Sequence, residues 1–184
     1  MSLEELREQN IRLVTEKALE CFIKNGINNT RVSEIAAESG LTQRSVFRYF
    51  PSKDDIVIAA AVCYWERTKA YIARELRRHT DDAQTGIEQI NIILNSYANM
   101  LFVDPEGIRF SLDAEVALYS VGKNAHVINR PPERYETYKG PLSQAVRRGL
   151  ADGTVDPGAN IKQLYYNAYD SILKDVKHRS LEAE

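Results

Sequence analysis

The chain has 184 residues, 43% of them hydrophobic, and carries 24 Lys and Arg against 26 Asp and Glu. This apolar content is sufficient for a hydrophobic core and excludes wholesale disorder. The chain has no run of about 18 uncharged apolar residues, and its first five residues are acidic where a secretory signal would be basic. We therefore expect a soluble cytoplasmic protein.

Hydrophobic residues recur at helical spacing almost throughout, which predicts an all-α fold of about nine helices. Ser2 and Glu5 have the spacing of a capping box on the first helix, and Gly26 is expected as a left-handed residue after its end. Thr42 is the expected N-cap of the third helix. The helices are expected over about residues 2–25, 32–39, 42–49, 52–79, 85–102, 104–120 (one or two helices), 133–151 and 160–178.

A boundary between two modules is expected near residue 52. Pro51 cannot continue a helix, and Ser52 followed by Asp55 is a signal for the start of the next one. The predicted domains are residues 1–52 and residues 53–184. The formal net charge of −2 hides a locally basic stretch over residues 27–53, which attracts phosphate. Its charged residues are Arg31, Arg44, Arg48 and Lys53 against Glu34 and Glu38.

The second and third predicted helices describe a helix-turn-helix. Their steep crossing needs small residues, which Ala36 and Ala37 supply, and a turn residue that tolerates positive φ, which Gly40 supplies. Ile35 and Val46 are the expected apolar anchors. The outward face of the third helix then carries side chains that bind base edges and phosphates, although an ordinary solvated helix could carry the same ones. These are Gln43, Arg44, Ser45, Arg48 and Tyr49.

The string from Thr30 to Ala36, together with the string from Gly40 to Lys53 that ends in Arg48-Tyr49-Phe50-Pro51-Ser52-Lys53, closely resembles the TetR family of bacterial transcriptional regulators. The resemblance covers roughly residues 10–60 and implies that residues 1–52 are a DNA-binding domain and residues 53–184 a ligand-binding and dimerisation domain. It implies DNA contacts by Thr30, Arg31, Thr42, Gln43, Arg44, Ser45, Phe47, Arg48, Tyr49 and Lys53.

The resemblance assigns these residues different roles. Backbone phosphates would be bound by Thr30, Arg31, Thr42, Arg48, Tyr49 and Lys53, and bases in the major groove would face Gln43, Arg44 and Ser45. Arg44 is our choice for direct base reading, and it stands where family members often have a small residue. Phe47 stands where many members have Tyr, so a phosphate hydrogen bond is lost there and the ring is free to pack instead.

The C-terminal module is expected to bind a small-molecule effector and to form a homodimer through its last two helices. The dimer stripes would be Leu142, Ala145, Val146 and Leu150 on one helix and Ile161, Leu164, Tyr165, Ala168, Ile172 and Val176 on the other. Tyrosine and asparagine among apolar residues favour a lined cavity, although core packing or solvent-facing amides would give the same pattern. Candidate ligand-binding residues are Trp65, Thr68, Tyr71, Asn91, Asn95, Tyr97, Ala98, Leu101, Arg109, Phe110 and Asp113.

The resulting hypothesis is a repressor that binds a palindromic operator as a dimer and is released by its effector. We expect no catalytic residue, cofactor or metal, because His79, His126 and His178 are scattered and no nucleotide-binding or hydrolase motif occurs. A dimeric DNA-binding regulator without a ligand is the main alternative. A thiol switch at Cys21 or Cys63 is another, although both residues fit apolar helical patterns.

Overall fold

The computed structural model describes residues 2–79, 81, 84–120 and 141–160, and single residues at 163, 167 and 171. Seven α-helices and no strand occur among these residues. They are α1 (Leu3–Asn25), α2 (Val32–Glu38), α3 (Gln43–Tyr49), α4 (Lys53–His79), α5 (Gly86–Val103), α6 (Pro105–Ser120) and α7 (Pro141–Asp152).

The all-α prediction is confirmed for this part of the chain, and the one or two helices expected after residue 104 are a single helix, α6. The start of the helix expected over 133–151 lies outside the described residues. So does the second dimer stripe. Of the helix expected over 160–178, the structure describes only residues 160, 163, 167 and 171. Within the described ranges, each helix is too short or too polar to span a bilayer.

The ends of α1 show how short-range sequence signals fix a helix. The backbone N–H of Ser2 donates to Glu5 Oε2 at 2.7 Å, and the backbone N–H of Glu5 donates to Ser2 Oγ at 3.1 Å, which confirms the capping box. At the other end Gly26 has φ 78° but ψ 157°. The expectation of a left-handed helical residue is therefore wrong in ψ, because the chain leaves the helix in an extended direction.

The described helices belong to two compact units. The first comprises Met1–Arg67 and Glu106–Asn129, and the second comprises Thr68–Pro105 and Arg130–Glu184, so that α4 contributes to both. The core of the first unit is built on α1, and the ring of Phe22 stacks on Phe110 with centroids 5.9 Å apart, while Tyr64 meets Phe110 edge-on at 6.2 Å. Phe110 is therefore a core residue of this unit.

The second unit is organised around the packing of α5 against α7. Its core contains Ile72 of α4, Ile93 of α5 and Ala145 of α7. The helices approach closely at two glycines, where a Cβ added to Gly86 would lie 2.2 Å from the Cα of Gly149. Glycine is required at such a contact because any side chain would separate the two backbones. The division of the chain into functional domains at residue 52 stays a prediction.

Candidate nucleic-acid interface

The turn between α2 and α3 has the geometry that a helix-turn-helix needs. Gly40 has φ 65°, its N–H donates to the carbonyl of Ala37 at 3.0 Å, and the N–H of Leu41 donates to the carbonyl of Ala36 at 2.9 Å. This pair of bonds is a Schellman motif, which ends α2 and turns the chain sharply. The predicted positive φ at Gly40 is confirmed.

Helix α3 is fixed at its start and along its inner face. The backbone N–H of Ser45 donates to Thr42 Oγ1 at 3.2 Å, and the two hydroxyl oxygens lie 2.9 Å apart, so the predicted N-cap is confirmed. Val46 is fully buried and shares a core with Ile35 of α2, which is also fully buried. The anchors predicted from the sequence therefore fix which face of α3 turns outward.

The outward face of α3 is polar and basic, with one aromatic ring. Gln43, Arg44 and Arg48 are exposed, and Phe47 between the two arginines is 40% exposed. In a helix, residues at i, i+3 and i+4 share a face, so Arg44, Phe47 and Arg48 form one surface opposite Val46. Phe47 thus does not pack into the core.

Tyr49 is held by a residue of α1. The side-chain amide of Asn10 donates to the phenolic oxygen of Tyr49 at 3.1 Å, and the guanidinium carbon of Arg48 lies 5.6 Å from the centre of the Tyr49 ring. The hydrogen bond from Asn10 lowers the pKa of Tyr49, and the nearby positive charges of Arg48 and Arg7 act in the same direction. Sequence reasoning missed Asn10, because nothing local to α1 indicates this partner.

One expected phosphate contact is wrong. The side chain of Thr30 is buried, and its hydroxyl donates to the carbonyls of Gly26 at 2.8 Å and Cys21 at 3.2 Å. This hydroxyl therefore joins the end of α1 to the start of α2 and is directed into the protein. The neighbouring Arg31 is exposed, and its backbone N–H donates to Glu34 Oε2 at 3.0 Å.

Lys53 is the first residue of α4, next to a well-formed helix cap. The backbone N–H of Ser52 donates to Asp55 Oδ2 at 2.9 Å, and the backbone N–H of Asp55 donates to Ser52 Oγ at 3.2 Å. Lys53 is half-buried, and its pKa is lowered because the effect of burial exceeds that of the negative charges of Asp54 and Glu34, which act in the opposite direction. Its ammonium group is therefore less exposed than the guanidinium groups of α3.

The expected ligand-binding residues are distributed over both units. Trp65, Arg109, Phe110 and Asp113 belong to the first unit and Thr68, Tyr71, Asn91, Asn95, Tyr97, Ala98 and Leu101 to the second, and the side chain of Leu101 lies outside the described residues. In the first unit, Arg109, Phe110 and Asp113 line an open groove of about 810 Å³ beside the end of α1.

In the second unit, Asn91 lines an apolar cleft of about 350 Å³ between α5 and α7. Thr68 is buried, and the half-buried Tyr71 and Tyr97 pack against the core of this unit. Asn91 and Asn95 are both exposed, so the expectation that apolar neighbours enclose these amides is wrong for the single chain. Their position on the solvent side of α5 agrees with the alternative that Asn91 and Asn95 are solvent-facing amides.

The two cysteines lie in apolar surroundings. Cys21 is buried and Cys63 is half-buried, and burial raises the pKa of both thiols. A raised pKa lowers the fraction of reactive thiolate, which argues against a thiol switch. Among the described residues no group of three His, Cys, Asp or Glu is arranged to hold a metal ion.

The short turn, the buried anchors and the exposed basic face together define a helix-turn-helix DNA-binding protein. Residues 14–60 match the family model described as bacterial regulatory proteins, tetR family. Over these residues the chain is similar to this family, and the relatives it matches are regulators of transcription.

Two curated relatives come from Bacillus subtilis (strain 168). An uncharacterized HTH-type transcriptional regulator, YuxN, is 30% identical over 90 residues, which are 49% of this chain and 30% of that protein. The fatty acid metabolism regulator protein is 21% identical over 173 residues, covering 90% of this chain and 84% of the relative. The chain therefore matches less than a third of the first relative and most of the second.

Among solved structures, the transcriptional regulator FadR from Bacillus subtilis in complex with stearoyl-CoA has the same fold. The TM-score is 0.59 at 16% identity, and the match covers 94% of this chain and 88% of FadR. At this identity the likeness concerns the fold alone.

Proposed function

We propose that this protein is a ligand-responsive repressor that binds a palindromic operator as a homodimer in the cytoplasm and is released by a small molecule. The observation that carries the proposal is the exposed basic face of α3, which is held outward by the fully buried Val46. We expect a helix presented in this way to enter the major groove, where Arg44 would form a bidentate pair with guanine and Arg48 would bind phosphate.

Dimerisation follows from the way such helices read DNA. Two copies of α3 about 34–36 Å apart would enter successive major grooves and read two halves of a palindrome. The part of α7 expected to pair with a second copy is largely used within the chain, because Ala145 and Val146 are buried. Leu150, four residues after Val146 on the same helix, remains 42% exposed, which supports a partner on α7.

Long-chain acyl-CoA is the effector class that we propose to test first. The support is the fold shared with FadR, which was solved with stearoyl-CoA, and the match to a fatty acid metabolism regulator over most of its length. DNA and effector would favour different arrangements of the dimer. Each then weakens the binding of the other through one coupling free energy of about 1–3 kcal/mol.

The test is fluorescence anisotropy with a labelled duplex from the region upstream of the protein's own gene. We expect saturable binding that weakens steeply with salt, and release on addition of stearoyl-CoA. Coenzyme A alone and stearate alone are the controls for charge and for detergent-like effects. Failure to bind any duplex at low salt would contradict the proposed function.

The ligand-independent alternative predicts a different outcome of the same titration. Stearoyl-CoA would leave both the anisotropy and the melting temperature unchanged, since a ligand that does not bind the folded state does not raise its stability. A wider effector panel that also leaves the melting temperature unchanged would favour this alternative.

A further inference from the structure

We propose that Asn10 of α1 is a positioning residue for DNA binding, and that Arg7, Asn10, Arg48 and Tyr49 form one phosphate-binding site, the α1–α3 corner. The proposal rests on the proposed function, because it names residues through which the DNA-binding head would contact the backbone. It adds α1 to a surface that sequence reasoning limited to residues 30–53.

The direction of the hydrogen bond at this corner is the first argument. The amide nitrogen of Asn10 donates to the oxygen of Tyr49 at 3.1 Å across 39 residues of sequence. Because the oxygen of Tyr49 accepts this bond, its own hydrogen stays available for a second acceptor. Accepting one bond also polarises the hydroxyl and makes it a stronger donor. An anionic phosphate oxygen is the acceptor that suits such a donor best.

The charges around Tyr49 are the second argument. The guanidinium carbon of Arg48 lies 5.6 Å from the ring centre, and the charge of Arg7 acts on the same hydroxyl from one turn earlier on α1. Both arginines are exposed. The guanidinium group of Arg48 beside the ring, the positive charge of Arg7 on α1 and the polarised hydroxyl together match the charge and the donor requirement of a backbone phosphate.

The positioning role predicts a specific pattern of variants in the anisotropy assay. Tyr49→Phe should weaken binding roughly tenfold, as expected for one lost hydrogen bond to a charged group. Asn10→Ala should weaken binding by several-fold, and it should add nothing when Tyr49 is already Phe, because residues that act through one contact are not additive.

Salt dependence separates Asn10 from Arg7. Asn10 is neutral, so Asn10→Ala should leave the slope of log K against log[salt] unchanged. Arg7→Ala removes a positive charge that would neutralise a phosphate, and it should flatten that slope by about 0.9 for each half-site. Arg12→Ala is the matched control, because Arg12 lies on another face of α1 and pairs with Glu8. It should flatten the slope much less.

A second readout works without DNA. Because the bond from Asn10 lowers the pKa of Tyr49, Asn10→Ala should raise that pKa towards its ordinary value. The measurement is a ¹³C-tyrosine NMR titration in which Tyr49→Phe assigns the signal. Asn10→Asp keeps the size of the side chain but accepts a hydrogen from Tyr49 instead of donating one. It should therefore raise the pKa further and weaken DNA binding more than Asn10→Ala does.

The outcomes keep the two proposals apart. Wild-type protein that binds no duplex contradicts both the proposed function and the corner. Wild-type protein that binds while Asn10→Ala and Asn10→Asp bind equally well contradicts the corner alone. Full additivity of Asn10→Ala and Tyr49→Phe also overturns the positioning role, because Asn10 would then not act through Tyr49.

Discussion

A methyl group added to Gly86 at the start of α5 would lie 2.0 Å from the backbone nitrogen of Gly149 in α7. The backbones of α5 and α7 therefore approach closely at these two residues. Two hydrogen bonds join the same elements. The N–H of Gly86 donates to Asp152 Oδ2 at 2.7 Å, and the N–H of Ile87 donates to Thr154 Oγ1 at 3.2 Å. The end of α7 therefore caps the start of α5.

Gly86→Ala should destabilise the protein by about 2 kcal/mol or more, because the new methyl group meets backbone atoms that have no room to move aside. The measurement is urea unfolding followed by circular dichroism. Gly158→Ala is the control, since a Cβ there would meet only the side chain of Asp156, at 3.3 Å. Equal stability of Gly86→Ala and the control would show that α5 and α7 are not packed as described.

Asp152→Asn should be less stable than wild type at neutral pH, and the difference should shrink as the pH falls. Hydrogen bonds from Thr154 and from the backbone of Gly86 lower the pKa of Asp152. A carboxyl whose folded pKa lies below its unfolded value stabilises the fold above the unfolded value, about 3.9, and this stabilisation is lost as the pH falls through the folded pKa.

The check is the melting temperature of Asp152→Asn and wild type at pH 7 and near pH 3. Asp156→Asn serves as the control for the removal of one carboxylate from the same exposed turn. A difference between Asp152→Asn and wild type that is the same at both pH values would mean that the charge of Asp152 plays no part.

Phe110→Ala should destabilise the protein by about 3–5 kcal/mol, because it leaves a cavity between Phe22 and Tyr64 in the core of the first unit. Val116→Ala on the same helix is the control, since Val116 is 70% exposed and such changes usually stay within about 0.5 kcal/mol. Thermal unfolding without any ligand distinguishes the two roles considered for Phe110. A residue that only lined a ligand site would leave the stability of the free protein nearly unchanged.

Features of the fold that depend on neighbouring residues are predictable from the sequence. The caps at Ser2, Thr42 and Ser52 and the turn at Gly40 were predictable, because each depends on residues within four positions of one another. The orientation of α3 followed from Val46, whose spacing from its neighbours decides which face is buried.

The features that sequence reasoning missed join residues far apart in the chain. The bond between Asn10 and Tyr49 spans 39 positions, and the approach of Gly86 to Gly149 depends on how two helices cross. Thr30 was assigned to a phosphate contact by the family resemblance, and only the fold reveals the carbonyls of Cys21 and Gly26 beside its hydroxyl. Periodicity carries no information on such partners.

Arg44→Ala and Lys53→Ala should weaken DNA binding in different ways. Arg44 is exposed on the outward face of α3, so its removal should lower affinity by about 1–3 kcal/mol for the preferred base at one operator position and relax the preference there. Lys53 is half-buried at the start of α4 and would contact only the backbone. Its removal should weaken all duplexes alike and flatten the salt slope by about 0.9 for each half-site.

The measurement is anisotropy over a set of duplexes that each change one base pair, repeated at several salt concentrations. Arg12→Ala, on α1, is the matched loss of one exposed positive charge and should leave the base preference unchanged. If Arg44→Ala weakened every duplex to the same extent, Arg44 would be a backbone contact, and base reading would fall to Gln43 or Ser45, its neighbours in α3. Arg44 would then contribute only electrostatic affinity, as Lys53 of α4 would.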